Sequence, residues 1–65
     1  MIIIFNGKKI EIKNEITIEE FLMKNHFNIE NLIVEYNGKI LKEKELNILI
    51  ENNSVIELMV FTGGG

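Results

Sequence analysis

The stretch with the clearest chemistry in this 65-residue chain is Phe61-Thr62-Gly63-Gly64-Gly65, a carboxylate carried on bare glycines directly after the apolar run Val55 to Phe61. Glycine has no Cβ, so three in a row make a thread narrow enough for a channel that side chains would block. They also reach backbone angles closed to other residues. The carboxylate of Gly65 is therefore the expected working group, with Gly63 and Gly64 as the thread that enters a partner. The competing reading is an inert chain end of small residues or an expression scar. Little else in the chain suggests chemistry. There is no cysteine, hence no disulfide, thiolate metal site or thiol nucleophile. His26 is the only histidine and has no second ligand at metal-binding spacing, so it receives no role. No nucleophile–base pair or carboxylate pair is visible, and the chain reads as a protein co-substrate with no catalytic residue, bound cofactor or metal.

Composition narrows the class. A chain this short is near the limit at which one core offsets the entropy of ordering the backbone, and it has no room for an enclosed active site as well. With 46% hydrophobic residues and no proline it is a compact folded unit. The net charge is −3 and the basic residues are all lysines, dispersed along the chain, which disfavours nucleic acid. The opening Met-Ile-Ile-Ile-Phe run is too short for a signal-peptide core or a membrane span, so a cytoplasmic protein without a membrane partner is expected.

The elements that must position the tail are readable in order. Ile2 to Phe5 is a strand, and Asn6-Gly7 has the chemistry of a two-residue type I′ turn. Ile10 to Lys13 alternates as the return strand. Thr17-Ile18-Glu19-Glu20 has the form of a capping box, so a short helix starts at Ile18 and buries Ile18, Phe21 and Leu22, with Met23 at the margin. Phe27 and Ile29 plug the space beneath the helix. Leu32 to Tyr36 is a third strand and Asn37-Gly38 a second tight turn, with Lys39 to Lys42 returning. Glu43 to Ile50 is ambiguous, because Leu46, Leu49 and Ile50 fall at helical spacing while a single turn and an extended link fit equally well. Asn52-Asn53-Ser54 makes the last turn, and Val55 to Phe61 is the last strand.

This order, β-β-α-β-β-β, gives an α+β fold with one helix across one face of a mixed sheet of four to five strands. The first and last strands lie parallel in the middle. Residues 1–61 form the domain and residues 62–65 a flexible tail. Alternation along the last strand turns Ile56, Leu58 and Val60 toward the helix and Val55, Glu57, Met59 and Phe61 away from it. With Ile3 and Phe5 inward, Ile2 and Ile4 point outward beside Met59 and Phe61. These four make an apolar, partner-docking face, the alternatives being ordinary surface apolarity or a dimer contact.

The chain resembles the ubiquitin-like β-grasp sulfur carriers, and most closely the small sulfur carrier of thiamine thiazole biosynthesis. The resemblance spans the chain: Met1 to Gly7, Thr17 to Leu22, Tyr36 to Ile40, Val55 to Leu58, and the terminal Gly64-Gly65. It implies that an E1-like adenylyltransferase uses ATP and Mg to adenylate the Gly65 carboxylate. A cysteine desulfurase or other persulfide donor then converts the adenylate to a thiocarboxylate, and thiazole synthase accepts the sulfur. Leu41-Lys42 and Asn53-Ser54 depart from the Pro-Arg and Gly-Asp common in that family, and Gly63 stands where a bulkier residue is usual. The small subunit of molybdopterin synthase, a ubiquitin-like modifier of tRNA thiolation or protein conjugation, and a non-carrier β-grasp interaction module stay as alternatives.

Overall fold

A computed structural model of the chain describes residues 1–60. Its elements are β1 (Ile2–Phe5), β2 (Lys8–Glu11), α1 (Ile18–Lys24), β3 (Leu32–Tyr36), β4 (Lys39–Leu41) and β5 (Val55–Val60), with 3-10 turns at Ile29–Asn31 and Glu43–Glu45. The sheet has five strands in the order β2-β1-β5-β3-β4. β1 and β5 run parallel at its centre, and the other pairings are antiparallel. This is the mixed sheet with parallel central strands expected from the element order, and the β-grasp that the resemblance implies.

Local chemistry accounts for most of the corners. Both Asn-Gly pairs adopt positive φ at each residue, 49° and 82° at Asn6-Gly7 and 50° and 86° at Asn37-Gly38, as a type I′ turn requires. The first turn also decides the second strand. A two-residue turn pairs Phe5 directly with Lys8, so β2 begins there, two residues earlier than the alternation at Ile10 to Lys13 suggests. The helix starts where the capping box places it: Glu20 N–H donates to the Thr17 hydroxyl at 3.1 Å, and Thr17 N–H donates to the Glu20 carboxylate at 2.9 Å.

The helix stops by a Schellman motif. Phe27 N–H donates to the Leu22 carbonyl at 2.9 Å and His26 N–H to the Met23 carbonyl at 3.0 Å. The residue between cap and return is His26, at φ 67°, where glycine is the usual choice. Its role is a backbone one, at the exit from the helix. The motif turns Phe27 under the sheet end of the core, where its ring meets Phe5 at 5.8 Å between centroids, and Phe5 in turn meets Phe21 at 5.1 Å, edge to face.

Ile3, Ile18, Phe21, Leu22, Val34, Leu41, Leu46, Ile50 and Ile56 form the buried core. The ambiguous segment resolves as one 3-10 turn followed by an extended link tied to the start of α1. Ile18 N–H donates to the Ile48 carbonyl and Glu19 N–H to the Leu46 carbonyl, while Ile50 N–H donates to the Ile16 carbonyl. Extended geometry separates the three residues that helical spacing would place together: Leu46 and Ile50 are buried, but Leu49 is 52% exposed. Val60 also departs from expectation. It shares the helix side of β5 by alternation yet is 69% exposed, because β5 outruns the core and pairs there with Leu32, the first residue of β3.

Replacing His26 by glycine should relieve the left-handed penalty of about 1–2 kcal/mol, against about 0.4–1 kcal/mol of extra unfolded-chain entropy. A net gain of about 0.5 kcal/mol is expected in urea unfolding, with none for His26→Ala, which keeps the penalty. The backbone N–H of Thr17, and then its hydroxyl, hold the Glu20 carboxyl below its ordinary value of 4.5. A carboxyl lowered on folding stabilises the fold above its unfolded pKa and loses that contribution as pH falls through the folded one. The acid limb of a stability–pH curve should therefore flatten in Glu20→Gln.

Candidate functional site

The expected working residues Gly63, Gly64 and Gly65, together with Phe61 of the docking face, lie outside the described residues. What the structure defines is the strand leading to them and the surface around it. β5 is held along both sides: by β3 over Leu32 to Tyr36, and by β1 at Ile4 and Phe5. Two side chains extend this grip beyond the ladders. Asn6, freed by its turn, accepts the Leu58 N–H at 2.8 Å, and Asn37, at the equivalent place in the other turn, accepts the Val55 N–H at 2.8 Å. Each Asn-Gly turn thus both reverses a hairpin and fastens β5.

The entry to β5 is locked by a closed ring of hydrogen bonds. Glu51 N–H donates to the Tyr36 phenol oxygen at 3.0 Å, the Tyr36 and Ser54 oxygens lie 2.9 Å apart, and the Ser54 hydroxyl donates to the Glu51 carbonyl. That last donation leaves the Tyr36 hydroxyl to donate to Ser54, so each group in the ring has a partner. Ser54 is only 1% exposed, and a buried hydroxyl needs such partners. Tyr36 and Ser54 are 18 positions apart, so no local motif announces the pair.

The outward face of the sheet keeps the expected alternation but not the expected cluster. Ile2 and Ile4 are on this face, as is Met59, but they are not beside Met59. Ile4 is registered with Val55, four residues before Met59, or about 13 Å along a strand. β1 runs parallel to β5, which puts Ile2 farther away still, where its carbonyl accepts from Asn53. The face therefore has two apolar ends, Ile2, Ile4 and Val55 at one and Ile33 paired with Met59 at the other. Between them stand Glu35 and Glu57, directly opposite each other. Ile2, Val55 and Met59 are 40%, 40% and 49% exposed.

Among the described residues no three metal-ligating side chains cluster. A concavity lined by residues 10–16 with Phe21, Lys24 and Asn25 lies on the helix side of the sheet. No helix among the described residues is long and apolar enough to cross a membrane.

A five-stranded mixed sheet grasping one helix, with the last strand at its centre, defines a ubiquitin-like β-grasp fold. Residues 3–65 match the model of the ThiS family, and the chain belongs to that family of ubiquitin-like sulfur carriers. The crystal structure of a thiamine biosynthesis protein (ThiS) from Geobacter metallireducens superposes with a TM-score of 0.85, over the full length of both chains, at 25% identity. An uncharacterized protein, ycf40, from Trieres chinensis is 36% identical over 61 residues, covering 92% of this chain and 84% of its own.

Tyr36→Phe removes the acceptor of Glu51 N–H and the donor to Ser54. A loss of about 1–2 kcal/mol is expected, read as a lower urea midpoint at an unchanged m-value.

Proposed function

We propose that this chain carries sulfur for assembly of the thiamine thiazole ring, as a thiocarboxylate at Gly65. The observation that carries the reading is the family match, which runs through Gly63, Gly64 and Gly65. The central, doubly paired β5 leading into those residues adds physical support. In this reading the chain is a substrate of its partners and performs no catalysis itself.

The chemistry follows from the reactivity of a carboxylate, which has no adequate leaving group. An E1-like enzyme with Mg-ATP joins the Gly65 carboxylate oxygen to the α-phosphorus and releases pyrophosphate, making AMP the leaving group. The terminal sulfur of a persulfide, supplied by a cysteine desulfurase or other donor, attacks the acyl carbon. AMP departs and an acyl disulfide remains. A thiolate then attacks the donor-side sulfur, so the S–S bond breaks and the electron pair stays on the acyl sulfur as thiocarboxylate. Thiazole synthase receives that sulfur, and the carboxylate is restored for another round. Sulfur held as an acyl group needs no cysteine on the carrier, consistent with a chain that has none.

Docking of these partners on the outward face, through Met59 and Phe61 with Ile2 and Ile4 at its far end, belongs to the same proposal. So does a cytoplasmic setting, where the ATP-dependent step takes place.

Intact mass after incubation with ATP, the activating enzyme and a cysteine-fed desulfurase tests the reading. The expected result is a gain equal to exchange of one oxygen for one sulfur, mapped to Gly65, and its loss on deletion of that residue. An unchanged mass with an enzyme that thiolates another carrier would overturn it.

A further inference from the structure

The like-charge pair on the outward face sets a condition on whatever covers it. Glu35 and Glu57 are directly opposite across β3 and β5, where side chains start about 5 Å apart at Cβ and like charges destabilise the ladder. The rest of the row offers no relief. Glu35 is registered on its other side with Ile40, and Asn6, beyond the end of β1, turns its side-chain oxygen to Leu58 N–H and donates to neither carboxylate. The pair sits between the two apolar ends of the face, so a partner that covers both Met59 and Val55 also buries the carboxylates. Burial of two uncompensated carboxylates would cost more than the flanking apolar contacts return.

We infer, resting on the docking role given above to this face, that the adenylating enzyme presents an arginine between two apolar contacts. Its guanidinium bridges Glu35 and Glu57, while apolar groups cover Met59 and Ile33 on one side and Val55 and Ile4 on the other. Arginine fits better than lysine because its planar fork offers several fixed donors to two carboxylates at once. A second copy of this chain does not fit, since its matching face would bring two more carboxylates and the sequence contains no arginine.

The test is calorimetric titration of the full-length chain into its adenylating enzyme without ATP, at low and high salt. Wild type, the Glu35→Gln/Glu57→Gln double variant and Met59→Ser are compared. The glutamines remove a repulsion, so the double variant should fold at least as stably as wild type. Its affinity should fall about 10- to 100-fold, with most of the salt dependence lost. Met59→Ser should weaken binding and keep the salt dependence. Undiminished affinity in the double variant, with Met59→Ser impaired, overturns the arginine bridge alone. Undiminished affinity in both overturns the docking role of the face. Self-association of the double variant with full partner affinity would mean that the carboxylates only keep copies apart, and also overturns the bridge.

Discussion

The structure depends on one pairing: β5 must slot between β1 and β3. Until it does, β1–β2 and β3–β4 are two separate hairpins, each unpaired on the side that β5 fills, and a lone hairpin is marginal in water. The parallel contact with β1 spans only Ile4 to Phe5 against Val55 to Ile56, and parallel pairing is the weaker kind. The junction is reinforced by groups outside the regular ladder. Ile4 N–H donates to the Ser54 carbonyl, Asn6 N–H to the Ile56 carbonyl and Ile2 N–H to the Asn52 side chain. The burial of Ile3 and Ile56 on the helix side completes it.

Seen from that junction, the helix and its loops have a positional task. α1 covers the inner face where β1 and β5 meet. Its N-terminus is tied to residues 46–50, which lead toward the turn that starts β5, and its C-terminal Schellman turn sends Phe27 to the aromatic contact with Phe5. The segment after β4 is therefore a strap, joining helix start to strand start by backbone hydrogen bonds and needing helical order only for one 3-10 turn.

Much of this is written in short-range signals. Asn6-Gly7 and Asn37-Gly38 demand positive φ, Thr17 and Glu20 cap each other, and Ile18, Phe21 and Leu22 share a face, so these elements could be located from neighbours alone. What escaped was set by distant partners. The offset of β1 against β5 is fixed by where the Asn52–Ser54 turn delivers the chain, and this offset separates Ile2 and Ile4 from Met59. The Tyr36–Ser54–Glu51 ring joins segments far apart in the sequence. His26 is imposed on a left-handed position by the need to return the chain beneath the helix, against its own preference. At the candidate site, alternation correctly sorted Glu57 and Met59 to one face, but only the register with β3 brings Glu35 opposite Glu57.

The central place of β5 also governs how the molecule would bear load. A pull applied beyond Val60 runs along the strand axis, while the hydrogen bonds that hold β5 to β1 and β3 lie across it. They would be strained together in shear instead of opening one after another, as they would for a strand peeled from an edge. A partner that draws the chain by its end therefore loads both ladders of β5 together.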